Sequence, residues 1–173
     1  HLHYVRNLRG WQDIRLHSPG LKGKTAVQRQ ALSDLDPRLS LVDDLQSALH
    51  DADVIMLCTS SAKPVIDPRQ LSKPALITSI STNAVRAHEV PPECLTDMDV
   101  YCDYRLTTPG SAGEMRIASE QHRWQADAII GDLAQLLSEQ APRPTYQRHA
   151  FFRSIGLGLE DIALANALYR LRG

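Results

Sequence analysis

Short apolar runs alternate along this chain with segments whose apolar residues recur at helical spacing. Asp13-Ile-Arg-Leu-His17 reads as a short strand closed by the turn signal Ser18-Pro19-Gly20. Residues 25–35 predict a helix with an apolar stripe at Val27, Ala31, Leu32 and Leu35. Residues 39–42 predict a second strand, and residues 44–50 a short amphipathic helix with Asp43 as its cap. Residues 52–58, 74–80 and 100–104 are near-continuous apolar runs, as expected of strands covered on both faces. Residues 114–121 and 127–140 predict helices, the second turning Ile129, Ile130, Leu133, Leu136 and Leu137 inward. A Pro-rich link at residues 141–144 leads to a closing strand and a last helix. This alternation predicts a doubly wound α/β domain, a mainly parallel sheet with helices on both faces.

Composition narrows the reading without deciding it. A chain of 173 residues can bury one substantial core, and 43% hydrophobic with 23% charged residues fits a globular protein. Nineteen basic residues against 20 acidic ones leave a net charge of −1, so no sequence-independent attraction to nucleic acid is expected. No apolar run is long enough to span a bilayer and no signal-peptide pattern opens the chain, so no membrane partner and a cytoplasmic location are expected. Cys58, Cys94 and Cys102 lack metal-ligand spacing and read as reduced thiols, Cys58 and Cys102 packed within apolar strands. His1 and His3 form an isolated pair, and no metal site is expected.

In a doubly wound sheet, ligands sit beyond the carboxyl ends of the strands. Three such ends carry suitable chemistry. Thr59-Ser60-Ser61 follows the 52–58 strand directly after Cys58, and small hydroxyl residues let a flat ring or a phosphate approach the backbone. Ser79-Ile80-Ser81-Thr82-Asn83 ends the next strand, with Arg86, His88 and Glu89 close behind. The third is Phe151-Phe-Arg-Ser154-Ile-Gly156-Leu-Gly158, after which Glu160 and Asp161 begin a helix where carboxylates suit the positive end of its dipole. At the end of the strand that reaches His17, Ser18, Lys22 and Lys24 follow with no acid among them. An acid there would hold a ribose 2′-hydroxyl, whereas a hydroxyl and basic groups suit a 2′-phosphate, which favours NADPH over NADH at any dinucleotide site built here.

The run from Phe151 to Tyr169 resembles the closing signature of the ornithine cyclodeaminase/mu-crystallin family, phenylalanine-x-serine-x-glycine followed by a Glu-Asp helix start. The segment from Ala52 through Thr59-Ser60-Ser61 to Pro64 resembles the family stretch whose loop lies against the cofactor, and His1-Leu2 resembles the pair that follows the family's glycine-rich loop. The resemblance implies a Rossmann-like fold in which residues 1–10 are most of the first helix, with the first strand and glycine loop missing. It implies a partial dinucleotide-binding domain over residues 1–148. The closing strand and helix of residues 149–173 then lead back towards a substrate and dimerisation domain. The family's N-terminal part, with its substrate-binding lysine and arginine, is not covered, so this extent of chain is expected to be inactive alone and the full-length protein a homodimer.

The resemblance also implies roles. His17, Ser18, Lys22, Cys58, Thr59, Ser60, Ser61, Ile80, Ser81, Ser154 and Gly156 become the cofactor-binding set, with Ser154 near the nicotinamide or the phosphates. Ser81 stands where the family has a glycine. Counting back from Glu89, Asn83 occupies the place of the aspartate that handles protons in the cyclodeaminase, and an amide cannot act as a general acid or base. Asn83 is therefore expected to orient substrate. Glu89 is expected to anchor its loop to Arg86 or a backbone amide. Glu114 reads as a helix-start residue or a catalytic one, and Asp103 as a strand-end acid. The expected function is NAD(P)H-dependent reduction of a cyclic imino acid, Δ1-pyrroline-2-carboxylate or Δ1-piperideine-2-carboxylate, to proline or pipecolate. The alternatives are ornithine cyclodeamination with release of ammonia, and a non-catalytic NADPH-binding protein of the crystallin kind.

Overall fold

The computed structural model describes residues 1–80 and 84–171. Asn83 and Ser81 lie outside the described residues. The chain forms two compact units, His1–Ala52 and Asp53–Gly173.

In the first unit a short helix α1 (Leu2–Val5) gives way to turns, so helix covers less of residues 1–10 than the sequence predicts. Strands β1 (Ile14–Leu16) and β2 (Leu39–Leu41) pair in parallel. Helix α2 (Ala26–Ser33) opens on a capping box, in which Thr25 Oγ1 accepts from the Gln28 amide and Gln28 Oε1 from the Thr25 amide. Its predicted apolar stripe is not a packing face, since Val27 is 80% exposed and no residue of α2 is buried. Asp44, rather than Asp43, caps α3 (Leu45–Leu49) by accepting from the Ser47 amide at 2.7 Å. Asp43 pairs instead with Arg29. Asp44 is extended and one residue from the helix, which brings its carboxylate onto the amide three residues on.

The second unit holds a five-stranded parallel sheet in the order β3 (Val54–Leu57), β4 (Leu76–Ser79), β7 (Ala150–Arg153), β5 (Asp99–Cys102), β6 (Ile129–Asp132). The last strand in sequence thus enters the middle of the sheet. Ile77, Val100 and Phe151 supply its core, at 1% exposure or less. Helices α4 (Thr108–Ser111), α5 (Gly113–Gln121), α6 (Leu133–Leu137) and α7 (Gly158–Arg170) complete the unit.

One predicted helix is corrected. Residues 126–128 make one short 3-10 turn, residues 129–132 form strand β6, and α-helix begins only at Leu133, so Ile129 is buried while Leu137 is 84% exposed. Two forces override the helical spacing. The β-branched pair Ile129-Ile130 suits a strand, with an irregularity in register against Val100 and Tyr101. Asp132 then starts a fresh helix through a capping box with Gln135. Gly131 is fitted to this place, because a Cβ there would lie 2.4 Å from the Cβ of Ala141.

The acids of the closing segment do sit at the start of α7, as predicted. Its apolar residues are not covered within the described chain: Leu159, Ile162, Leu164, Leu168 and Tyr169 are all exposed. No helix among the described residues is long and apolar enough to cross a membrane.

Candidate active site at the strand ends

All five strands of the larger sheet are parallel, so their carboxyl ends form one edge; besides the buried Asp132, which caps α6, three buried acids converge there. Glu89 is fully buried between the ends of β3 and β4. Thr59 donates its amide N–H and its hydroxyl to Oε1, at 2.8 and 2.7 Å. Ser79 donates its hydroxyl and Ile80 its amide N–H to Oε2, at 2.8 and 3.1 Å. The Glu89 carbonyl accepts from the Val65 amide at 2.7 Å, which pins the loop from its other side. Burial pushes this carboxyl up, but the hydrogen bonds from Thr59 and Ser79 and the two amides outweigh it and hold the group below the usual carboxylate range. Arg86 is not its partner, for Arg86 pairs with Glu120 at 2.9 Å. Of the two anchors expected for Glu89, the backbone amide is the one formed.

Asp103 ties the next pair of strands. Its Oδ1 accepts from the Tyr104 amide at 2.9 Å and the Thr108 hydroxyl at 2.5 Å. Its Oδ2 accepts from the Ser154 hydroxyl and from the amides of Ile155 and Gly156, at 3.1, 2.7 and 3.0 Å. The turn after β7, with Gly156 at φ 75°, therefore wraps its donors around a carboxylate of the protein itself. Such a run of amides is a ready anion cradle, and here the anion is Asp103.

The third acid is Glu114, which neither caps α5 nor reaches solvent. It is fully buried, with Oε1 2.5 Å from Nε of the equally buried Arg153. Burial pushes the Glu114 carboxyl up against the pull of the Arg153 charge. Arg153 also donates from Nη1 to the carbonyls of Ser79 and Ser154, at 3.2 and 2.8 Å. Gly113 sets this arrangement, since a Cβ there would fall 2.3 Å from the carbonyl oxygen of Ala87. The start of α5 thus rests directly on the segment that leads to Glu89. Sequence reasoning passed over Arg153; its signal was a charged residue inside the apolar strand Ala150–Arg153.

Around these acids the other expected residues divide into committed and open groups. The hydroxyls of Thr59 and Ser61 are committed inward, Thr59 to Glu89 and Ser61 to the Lys63 carbonyl at 2.7 Å. Ser60 is exposed, and its side chain has no partner among the described residues. Cys58 is exposed past the end of β3, not packed within a strand as its apolar neighbours suggest. Partial burial and the Glu89 charge push its thiol up, which makes it a poor nucleophile. Cys102 is buried as expected, its thiol pushed up to about 11 by burial. Ile80 stands 36% exposed at the end of β4. Ser60 lies past the end of β3 and Ile80 past the end of the neighbouring β4, and an exposed small polar residue with a partly exposed aliphatic one at such ends suits the flat face of a nicotinamide.

In the smaller unit, His17 Nδ1 lies 3.2 Å from the Val42 carbonyl. A carbonyl only accepts, so Nδ1 is the donor in this bond. The Ser18 hydroxyl accepts from the Gly20 amide, and Lys22 and Lys24 are exposed. A cavity of about 390 Å3 elsewhere, with Asp99, Trp124 and Arg148 on its wall, opens beside the amino end of β5 and is not part of this edge.

A parallel sheet of this order, with polar residues at its strand ends, defines a Rossmann-like α/β arrangement. The sequence profile of the ornithine cyclodeaminase/mu-crystallin family matches residues 1–171, and the chain belongs to that family. It is 68% identical over 172 residues to the NAD(P)H-dependent anabolic L-arginine dehydrogenase DauB of Pseudomonas aeruginosa, covering 99% of this chain and 54% of that protein. It is 25% identical to the Δ1-pyrroline-2-carboxylate reductase of Bacillus thuringiensis, over 70% of this chain and 38% of that one. Among solved structures, the Δ1-pyrroline-2-carboxylate reductase of Thermococcus litoralis, in complex with NADH and L-proline, has the same fold. It superposes with a TM-score of 0.86 at 18% identity, covering 98% of this chain and 53% of that one. The chain spans about half the length, or less, of the relatives it matches.

Proposed function

We propose that the full-length protein is an NAD(P)H-dependent oxidoreductase that reduces an α-imino acid to the corresponding amino acid, with the arginine skeleton as its substrate. The observation that carries this reading is the 68% identity to an L-arginine dehydrogenase across 172 residues. The strand-end chemistry is consistent with it. When bound, the nicotinamide supplies a hydride to the imine carbon. In the larger unit, Cys58, Ser60 and Ile80 line its place, while Thr59, Ser61, Ser154 and Gly156 hold the loops in shape. Asn83 orients the reacting end: its side-chain oxygen can accept from the N–H of an imine already protonated, and so hold the electrophilic carbon in place, but it cannot deliver a proton. That property favours reduction over the cyclodeaminase reaction. In the smaller unit, His17, Ser18 and Lys22 are the residues for the adenosine ribose. The absence of an acid between Leu16 and Lys24 supports NADPH as the better cofactor, with NADH the weaker one.

A cyclic substrate is the second reading, favoured by the 25% identity to a Δ1-pyrroline-2-carboxylate reductase. One assay separates the two. NADPH and NADH oxidation by the full-length protein is followed with the 2-oxo acid of arginine plus ammonium, and beside it with Δ1-pyrroline-2-carboxylate and Δ1-piperideine-2-carboxylate. The expected outcome is faster turnover of the arginine-derived imine. Faster turnover of a cyclic imine returns the substrate to the proline or pipecolate series, and ammonia from ornithine without net loss of NADPH overturns the reductase reading. The full-length protein is further proposed to be a homodimer, which sedimentation tests directly.

A further inference from the structure

We propose that Glu89 is a positioning residue for the cofactor, a clamp whose carboxylate fixes the loops after β3 and β4 against one another. This inference rests on the dinucleotide site proposed above. Among the described residues, each Glu89 oxygen meets a hydroxyl and a backbone N–H: Thr59 supplies both on one side, Ser79 and Ile80 one each on the other. Hydroxyls rotate and can donate or accept, whereas an amide N–H only donates. The shell therefore demands an acceptor at both ends of the side chain. A carboxamide meets one N–H with its own NH2 group whichever way it turns. Among the common side chains of this length, glutamate alone satisfies both sides, and it does so at full burial, where an unmet donor is costly.

The clamp also decides which groups can touch a ligand. The single hydroxyl proton of Thr59 is donated to Glu89, and Thr59 Oγ1 accepts from the Ser61 amide at 3.1 Å. Thr59 thus has no proton left for a cofactor. Its neighbours Cys58 and Ser60 are exposed, as is Ile80 just past the end of the adjoining strand β4. Glu89 holds from beneath the residues that meet the cofactor and never touches it.

The test uses full-length protein and the variants Glu89→Gln, Thr59→Val and Ser79→Ala. Cofactor dissociation constants for NADPH and NADH are measured by fluorescence, together with KM and kcat. Glu89→Gln is expected to weaken cofactor binding about tenfold, with the KM of the imine substrate little changed, and the two hydroxyl variants to weaken it several-fold. Unchanged cofactor affinity in folded Glu89→Gln overturns the inference, as does unchanged affinity in both hydroxyl variants if Glu89→Gln does not fold. Hydrogen exchange at the Thr59 and Ile80 amides reads the clamp without cofactor. Both amides are expected to exchange faster in the variants, and unaltered protection overturns the clamp. Failure of the wild-type protein to bind either dinucleotide, with faster exchange still seen, would count against the function proposed and not against the clamp.

Discussion

Backbone N–H groups at the ends of strands and helices need acceptors, and the two units of this chain supply them at different depths. In the smaller unit the helix caps are exposed: Thr25 caps α2 and Asp44 caps α3 at the surface, while the buried Asp36 takes the Arg38 amide ahead of β2. In the larger unit the acceptors include Glu89 and Asp103, both closed off from water and each gathering backbone amides and hydroxyls from separate strands. The chemistry is the same, a carboxylate or hydroxyl oxygen facing N–H, but the alternative differs. An amide stripped of its cap at the surface is met by water, whereas one stripped inside the sheet edge is met by nothing. Depth, not bond count, should therefore set the cost of removal. Glu114 and Arg153 extend the comparison to a buried charge pair, where neither partner is tolerable alone.

The sharpest break is Arg153→Met. Removing the guanidinium leaves the Glu114 carboxyl buried without its countercharge, at a cost of about 3–5 kcal/mol. Chemical denaturation should show this loss, and Arg153→Met combined with Glu114→Leu should recover most of it. The pH dependence has a definite sign. The folded state already raises the Glu114 pKa above its ordinary 4.5, and loss of Arg153 raises it further. A carboxyl that binds its proton more tightly when folded makes the protein less stable as pH rises from the unfolded value through the folded one. The single variant should thus be closest to wild type near the acid end and fall behind towards neutral pH. A deficit that grows as pH falls would mean that the pair is not what the burial implies.

Asp103→Asn comes next. The carboxylate accepts backbone N–H on both oxygens, from Tyr104 on one and from Ile155 and Gly156 on the other, so an amide side chain opposes a donor in either orientation. The expected cost is about 1–3 kcal/mol, together with faster amide exchange through the Ser154–Gly156 turn. Equal stability would show that this turn can find other acceptors, and the cradle would then be open to an outside anion.

Much of this architecture was legible before the structure. The apolar runs at residues 52–58 and 74–80 became β3 and β4, and the parallel α/β class followed from alternation. The polar loops after those strands were legible too, because small hydroxyl residues at a strand end are a local signal. Helix and strand are confused at Ile129–Asp132, where the two apolar residues Ile129 and Ile130 match both periods and only the restart at Asp132 separates them. Asp43 and Asp44 are adjacent acids, and which one caps depends on backbone angles that composition does not carry. The acid network was hidden for a different reason. Glu89 bonds residues 30 and 10 positions away, and Arg153 reaches back 74 positions to Ser79. Pairings at that distance come from the order in which strands enter the sheet, with β7 in its middle, and no local pattern encodes that order.

The smallest effect should come from Thr25→Ala, and it is the one that tests the rule of depth. The substitution removes the bond from the Gln28 amide to Thr25 Oγ1, while Gln28 can still reach back to the residue 25 amide. The ordinary cost of losing such a cap is about 0.5–2 kcal/mol. Helix α2 has no buried residue, so its last increment of order comes from its own hydrogen bonds and very little from packing. Two measurements should therefore separate: amide exchange within Ala26–Ser33 should speed clearly, while the denaturation midpoint of the whole chain moves less than in Asp103→Asn. Thr25→Asp, which keeps an acceptor at the positive end of the helix, should restore wild-type exchange. A global loss from Thr25→Ala as large as that from Asp103→Asn would show that these acceptors are valued by the bonds they make and not by the water they exclude.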